Sequence, residues 1–380
     1  MKQIYLDYAA ASPMDPSVLA VMQPYFARAF YNPSATYLAA RQVKANIAEA
    51  RARVAHWFGA KPAEIIFTAG GTEANNLAIH GIMQQYPQAN VVVSSIEHES
   101  VLAPAKQYAC KEVGVEPDGR LNRAELKTVI DDKTVLVSIM YANNEVGTIQ
   151  PLKEVATLVA EIRNGRQKSG NSLPLFLHTD ACQAPAYLAI HAARLGVDLM
   201  TINAGKIYGP KQCGALYASA RVRLQPQILG GGQERGLRSG TENVANITGL
   251  ATALDLVQNR RQQETPRLQT LQAYFIKQLQ KALPQVIING SLKHRLPNNV
   301  HLTIPGADNE RLIMELDERG ILCAAGSACS ASDEEPSHVL KAMGLPDADT
   351  QASLRFSFGH QTTKADIEKT VRVLHQLTRR

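Results

Sequence analysis

The order of apolar and polar positions divides the chain into two parts. Before about residue 255, short apolar runs with little polar alternation are separated by segments with a helical period, such as 122–132 and 152–165. Such runs are typical of strands buried on both faces of a parallel sheet. They are "EIIFTA" at 64–69, "NVVVSSI" at 90–96, "TVLVSIMYA" at 134–142, "LPLFLHTD" at 173–180, "VDLMTIN" at 197–203 and "CGALYAS" at 213–219. The alternation predicts a large, three-layer α/β domain.

Past about residue 255 the pattern changes. Residues 254–283 have a helical period, and Pro266 predicts one break or kink in that connecting helix. Strand-like runs follow at 298–304, 320–325 and 353–358. A last helix is predicted to begin at Thr363, because Asp366 three positions later gives a capping-box-like start. These elements predict a second, smaller α+β unit.

Composition narrows the class of protein. The 380 residues suffice for two domains, 45% of them are hydrophobic, and neither a membrane-length apolar run nor a leader is present. We therefore expect a soluble, cytoplasmic protein without membrane association. The net charge of +6 is spread along the chain, so direct nucleic-acid binding is not expected. The five cysteines form no CxxC pair or zinc pattern, which argues against disulfides and a metal site.

Polar residues follow the predicted strands, where ligands bind in open parallel sheets. Gly71 and Thr72 follow "EIIFTA" and precede a helix, so they could cradle a phosphate, although Thr72 could equally be a plain helix N-cap. His98 and Asn144 follow the next two runs. Taken alone, a histidine in this position is more often structural than catalytic, and a turn-forming role is the better interpretation of Asn144.

Two buried charges raise a sharper question. Asp180 ends one apolar run, with Gln183 three residues later, and Lys206 follows the next run. A carboxylate at a buried strand end costs several kcal/mol unless a cation or several donors meet it. On these residues alone, a structural Asp180–Lys206 ion pair is one explanation.

Pyridoxal phosphate provides the other explanation, because it gives every one of these groups a task. The cofactor needs an anion cradle (Gly71, Thr72), a carboxylate at its ring nitrogen (Asp180), donors to its phenolate oxygen (Asn144 or Gln183), a group against its ring (His98) and a Schiff-base lysine (Lys206). The combination is far more specific than any of its members.

The predicted small domain adds two candidates. Arg355 lies inside an apolar strand and suits a bidentate grip on a carboxylate, or else an ion pair with a neighbouring acidic residue. Cys329 lies in "CAAGSACSASDEEPS", a run of small residues that predicts a mobile loop. Structural cysteines are usually packed in apolar elements, so Cys329 is the candidate reactive thiol.

These motifs together resemble the NifS/IscS-type cysteine desulfurases, class V members of the fold-type I pyridoxal-phosphate enzymes. The likeness runs from "YLDYAAASP" at 5–13 through "FTAGGTEANNLAI", "EHES", "NNEVG", "HTDACQ", "KIYGPK", "GGGQERGLRSGT" and "GSACSAS" to "LRFSFG". The domains expected on this basis are a large cofactor-binding domain over 14–255 and a small domain over 1–13 and 256–380 with the mobile cysteine loop at about 324–335.

The resemblance also implies a role for each residue. Lys206 would be the Schiff-base lysine, Asp180 the partner of the pyridine nitrogen and His98 the residue stacked on the ring. The resemblance assigns Asn144 and Gln183 to the phenolate side of the cofactor, Gly71 and Thr72 to its phosphate, and Asn203 to cofactor contact. Thr241 would reach the phosphate from the neighbouring subunit of a homodimer, Asn32 and Arg355 would hold the substrate carboxylate, and Cys329 would accept the sulfur.

The implied activity converts L-cysteine to L-alanine and leaves a persulfide on Cys329 for a sulfur-acceptor protein. The acceptor would serve iron–sulfur cluster assembly or tRNA thiolation, and the shortness of the chain after its last helix brings the first of these into question. Asn203, Ala204 and Gly205 replace the Ser-Gly-His that many relatives carry before the lysine. A selenocysteine lyase, another class V aminotransferase and a non-catalytic sulfur carrier are the alternatives.

Overall fold

The computed structural model describes residues 3–326 and 336–378; Cys329 lies outside these ranges. The strands of the described residues are β1 Ile4–Tyr5, β2 Ile65–Thr68, β3 Asn90–Ser94, β4 Ala109–Val113, β5 Thr134–Ser138, β6 Phe176–Asp180, β7 Leu199–Asn203, β8 Gly214–Ala218, β9 Ile287–Asn289, β10 Asn299–Thr303, β11 Ile321–Leu322 and β12 Ser353–Ser357. The helices are α1 Pro16–Met22, α2 Pro24–Ala27, α3 Leu38–Phe58, α4 Gly71–Met83, α5 Glu99–Ala105, α6 Arg123–Val129, α7 Leu152–Ser169, α8 Ala192–Leu195, α9 Val244–Ala282, α10 Asn309–Asp317, α11 His338–Ala342, α12 Asp347–Thr350 and α13 Lys364–Thr378.

Seven strands form the main sheet in the order β2-β8-β7-β6-β5-β3-β4. The pairs from β7 to β4 are parallel, and β8 runs antiparallel to both β7 and β2. Each apolar run predicted before residue 255 contains one of these strands. Successive residues such as Val91 and Val92 belong to different hydrophobic cores, because neighbouring side chains in a strand point to opposite faces. The predicted three-layer α/β domain with a mainly parallel sheet is confirmed.

The small unit contains an antiparallel sheet in the order β12-β10-β9 and the parallel pair β1-β11. Its last helix begins as predicted: the Thr363 N–H donates to Asp366 Oδ2 (2.9 Å), and the Asp366 N–H donates to Thr363 Oγ1 (3.2 Å).

Of the break or kink predicted at Pro266, the break is wrong, because α9 continues from Val244 to Ala282; the kink stays a prediction. Leu254 and Val257 before the proline, and Leu268 and Leu271 after it, are all buried. The packing of α9 against α3, α1 and α13 outweighs the roughly 3 kcal/mol that an interior proline costs a helix. The helix also crosses the predicted domain boundary at residue 255, which stays a prediction. No helix of the described residues has the length and apolar character needed to cross a membrane.

Candidate active site

A cavity lies where strands of the main sheet end, which is where ligands bind in open parallel sheets. Most of the predicted site residues line this one cavity: Gly71, Thr72, His98, Asn144, Asp180, Gln183, Asn203, Lys206 and Arg355. The strands bring them together because the parallel β3, β5, β6 and β7 all end at the same edge of the sheet.

Asp180, the last residue of β6, is buried and accepts two hydrogen bonds. Asn75 Nδ2 donates to its Oδ2 (2.7 Å), and the Cys182 N–H donates to its Oδ1 (2.8 Å). Asn75 Nδ2 also donates to Ser100 Oγ (2.8 Å), which in turn lies 2.8 Å from His98 Nδ1. A hydrogen-bonded chain therefore links the Asp180 carboxylate to the His98 ring.

Lys206 lies in a 3₁₀ turn, Ala204–Lys206, directly after β7. Its Nζ donates to the backbone carbonyls of Ala9 (2.8 Å) and Ala10 (2.6 Å), and Gln183 Nε2 donates to the same Ala9 carbonyl (3.0 Å). The described residues contain no ion pair between Asp180 and Lys206, so the structure gives these opposite charges separate partners on the wall of one cavity.

The start of α4 has the form of an anion cradle. Gly70 is the N-cap residue and no side chain caps the helix, so the alternative of Thr72 as a plain N-cap is wrong. A Cβ on Gly71 would lie 2.7 Å from Cys182 Sγ and 3.5 Å from Asn203 Cβ. Asn203 Oδ1 accepts from the Gly205 N–H (3.0 Å), which fixes the turn that replaces Ser-Gly-His. Free N–H groups at a helix start attract anions.

Arg355 forms the ion pair that its alternative interpretation predicted. Its Nη2 donates to Asp7 Oδ1 (2.7 Å) and its Nη1 to the Asn144 carbonyl (3.1 Å), while the side chain is 1% exposed. Arg355 nevertheless lines the cavity. The Asn144 carbonyl therefore has a structural partner, and the Asn144 side chain is the part left for a ligand.

Two predicted residues do not line this cavity. Asn32 is exposed, with its Oδ1 accepting from the Ser34 N–H (2.9 Å), and Thr241 is exposed just before α9. Pro33 and Ser34 instead line a separate groove with Glu242 and the 231–235 segment. Asn32 and Thr241 thus lie next to residues of the same outer groove, away from the cavity of their own chain.

Sequence reasoning missed several residues of the site. Asn75 and Ser100 fall within the quoted motifs. The sequence does not show that α4 and α5 place these two side chains between Asp180 and His98. Burial, together with the Asp180 charge, raises the pKa of the Cys182 thiol beside them well above its usual range. Glu97 is fully buried before His98, and burial raises the pKa of its carboxyl to about 8.

Comparisons with known proteins agree with this geometry. A model of the aminotransferase class-V family matches residues 4–370. The cysteine desulfurase IscS of Dictyoglomus turgidum is 38% identical over 383 residues, covering 99% of this chain and 94% of that protein. The putative cysteine desulfurase IscS 1 of Bacillus subtilis is 38% identical and covers 100% of both chains. A solved NifS-like protein superposes with a TM-score of 0.90 at 29% identity, covering 99% of both chains.

The fold and the site thus define a class-V aminotransferase, and the chain belongs to that family. Within it, the chain belongs to the cysteine desulfurases of the IscS and NifS type, as relatives at 36–39% identity show.

Proposed function

We propose that the protein is a pyridoxal-phosphate-dependent cysteine desulfurase, which converts L-cysteine to L-alanine and leaves a persulfide on Cys329. The main structural support is that Asp180 and Lys206 line one cavity with His98 while each is hydrogen-bonded to other groups. The family adds the activity, since the curated relatives are named cysteine desulfurases. One solved relative, SspA in complex with cysteine, is 31% identical with a TM-score of 0.79 and covers 93% of this chain and 98% of that one.

The residues present fit pyridoxal phosphate. Asp180 would hold the pyridine nitrogen, with two donors keeping the carboxylate oriented. The start of α4 would hold the phosphate through Gly71 and Thr72, and the close approach of Cys182 Sγ explains why residue 71 has no side chain. His98 would face the ring, and Asn144 and Gln183 would hold its oxygen. Bound there, the cofactor would act as an electron sink for charge developing at the substrate Cα.

The residues of the chain would do the rest. Lys206, held by the Ala9 and Ala10 carbonyls, would move the proton at the substrate Cα. Arg355 and Asn32 would hold the substrate carboxylate. The Cys329 thiolate would attack the substrate sulfur, so that the C–S bond breaks and an S–S bond forms. L-cysteine and the Cys329 thiol then give L-alanine and a Cys329 persulfide, with no external oxidant.

A homodimer would complete the site. Asn32 and Thr241, both assigned to substrate or phosphate, lie next to residues of an outer groove instead of lining the cavity of their own chain. Close in sequence to these groove residues are exposed large apolar side chains, at Phe30 (66% exposed), Leu38 (79%) and Leu229 (79%). An exposed apolar patch is typical of an interaction surface. A second copy would cover these side chains and supply Thr241. The persulfide would pass to an acceptor protein for iron–sulfur cluster assembly or tRNA thiolation.

The test uses purified protein loaded with pyridoxal phosphate. Lys206→Ala should lose the visible absorbance of the lysine-bound cofactor, whereas Lys211→Ala, an exposed lysine five positions later, should keep it. Cys329→Ser should keep that absorbance but form no persulfide and lose turnover with a protein acceptor, whereas Cys110→Ser on edge strand β4 should remain active. Retained sulfur release by Cys329→Ser would exclude this mechanism and favour another class V activity.

A further inference from the structure

Glu145 lies where the two ends of the Cys329 segment meet. Ser337 Oγ donates to Glu145 Oε2 (2.6 Å). A Cβ on Gly326 would lie 3.2 Å from the same oxygen and 4.0 Å from Ser337 Cβ. Gly326 precedes the Cys329 segment and Ser337 follows it. The residues on either side of that segment therefore both lie beside the Glu145 carboxylate.

The turn that carries Glu145 is fixed. The Glu145 N–H donates to Asn143 Oδ1 (2.8 Å), and Asn299 Nδ2 donates to the Glu145 carbonyl (2.8 Å). The preceding residue, Asn144, accepts from Arg355 through its carbonyl. Glu145, which binds Ser337 and lies beside Gly326, is therefore next to a residue that lines the proposed cofactor cavity.

The residue after Ser337 makes a second contact near the cavity. His338, the first residue of α11, donates from Nε2 to the Glu97 carbonyl (2.9 Å). Glu97 directly precedes His98. Two consecutive residues, Ser337 and His338, thus bond to the two loops that carry Asn144 and His98.

The chemistry of Glu145 argues for a positioning role. The residue is 1% exposed, and among the described residues only Ser337 donates to its carboxylate. A buried carboxylate with a single donor does little for stability, because desolvation opposes its burial. Ser337 Oγ also accepts from the Leu340 N–H (3.2 Å) as the N-cap of α11. Its one proton is therefore committed to Glu145.

We propose that Glu145 is a positioning residue, which clamps Gly326 and Ser337 beside the cofactor cavity and so controls persulfide formation on Cys329 without contributing to substrate binding. This role rests on the proposed desulfurase function. The positioning role depends on the hydrogen bond between Glu145 and Ser337, so a side chain of equal volume without that bond should not replace Glu145.

The experiment compares matched variants of the holoenzyme. Glu145→Met keeps the volume and removes the acceptor, whereas Glu145→Gln keeps an acceptor oxygen. Ser337→Ala removes the donor together with the helix cap, whereas Ser337→Thr keeps both functions. Asp308→Ala, which removes the N-cap of the distant α10, is the control for general destabilisation.

Single-turnover alanine formation and Cys329 persulfide are measured together with substrate binding from the cofactor absorbance. Loss of the hydrogen bond between Glu145 and Ser337 should slow persulfide formation about five- to tenfold in Glu145→Met and Ser337→Ala, with substrate affinity unchanged. Glu145→Gln, Ser337→Thr and Asp308→Ala should retain most of the rate. Hydrogen exchange over 336–344 should accelerate in Glu145→Met and Ser337→Ala and in none of the other variants.

The outcomes separate the two proposals. A wild-type enzyme that forms no alanine refutes the desulfurase function. Unchanged exchange over 336–344 in Glu145→Met refutes the clamp, whether or not the enzyme is active. In an active enzyme, an unchanged persulfide rate in Glu145→Met, or a rate and a substrate affinity that fall together, also refutes the positioning role.

Discussion

Replacing Gly71 with alanine tests how closely the proposed phosphate cradle is packed. The new Cβ would lie 2.7 Å from Cys182 Sγ, about 1 Å inside an ordinary contact, while the next nearest atom, Asn203 Cβ, is at 3.5 Å. Gly71 has no positive φ, so its backbone accepts alanine. Overpacking of this kind costs roughly 1–3 kcal/mol, and the better helix propensity of alanine returns at most about 1 kcal/mol. We expect a net loss of about 1–2 kcal/mol in the free energy of unfolding.

The assay is urea unfolding of the apoprotein and holoprotein, combined with the dissociation constant for pyridoxal phosphate. We expect displacement of the start of α4 to weaken cofactor binding by about 1–1.4 kcal/mol, which corresponds to a five- to tenfold rise in that constant. Cys182→Ala removes the clashing sulfur, so the double variant should recover both quantities, with a coupling energy of about 1–2 kcal/mol. Gly165→Ala, in α7 with no atom within 4 Å of its Cβ, should instead gain up to about 1 kcal/mol. A loss in Gly71→Ala that persists unchanged in the double variant would refute the reasoning.

Three further predictions concern the groups around the cavity. Asn75→Leu should destabilise the protein by about 1–3 kcal/mol in urea unfolding, because it removes a donor from the buried Asp180 carboxylate; equal stability would contradict the hydrogen-bonded chain. Burial raises the pKa of Glu97 from 4.5 to about 8, so the folded state keeps a proton that the unfolded state releases. The wild type should therefore lose stability between about pH 4.5 and 8 relative to Glu97→Gln, and parallel pH profiles would exclude this titration. Arg355→Lys should raise KM for L-cysteine about tenfold with a smaller change in kcat, because the proposed bidentate contact with the substrate carboxylate would become a single one. An unchanged KM would show that Arg355 does not bind the substrate.

Much of the sheet could be predicted because its strands are buried on both faces and read as unbroken apolar runs. Strand β4, "ACKEV", could not, since it lies at the sheet edge and most of its residues are partly or fully exposed. The break at Pro266 was wrong for the opposite reason: local chemistry predicts a break, but burial on both sides of the proline holds the helix together.

The sequence predicted the site residues that act through their side chains. It did not predict the contacts that backbone groups make. Asp180, His98 and Lys206 stand out as polar groups at apolar strand ends, and the structure places all three on one cavity. The Ala9 and Ala10 carbonyls that receive Lys206 have no such signature, because any residue has a carbonyl. The Asp7 partner of Arg355 lies 348 residues away in sequence, which no local pattern reveals.

The pairing of β1 with β11 affects the order in which the protein becomes complete during synthesis. Ile4 pairs with Ile321, so β1 stays without its partner strand until translation has passed β11. At about 5–20 residues per second, the roughly 300 intervening residues take about 15–60 s to make. The Ala9 N–H is then anchored by Ser357 Oγ, further along still. The carbonyls that hold Lys206 are thus fixed only after Ser357 has been made, so the cofactor cavity should form after all strands of the main sheet have been synthesised.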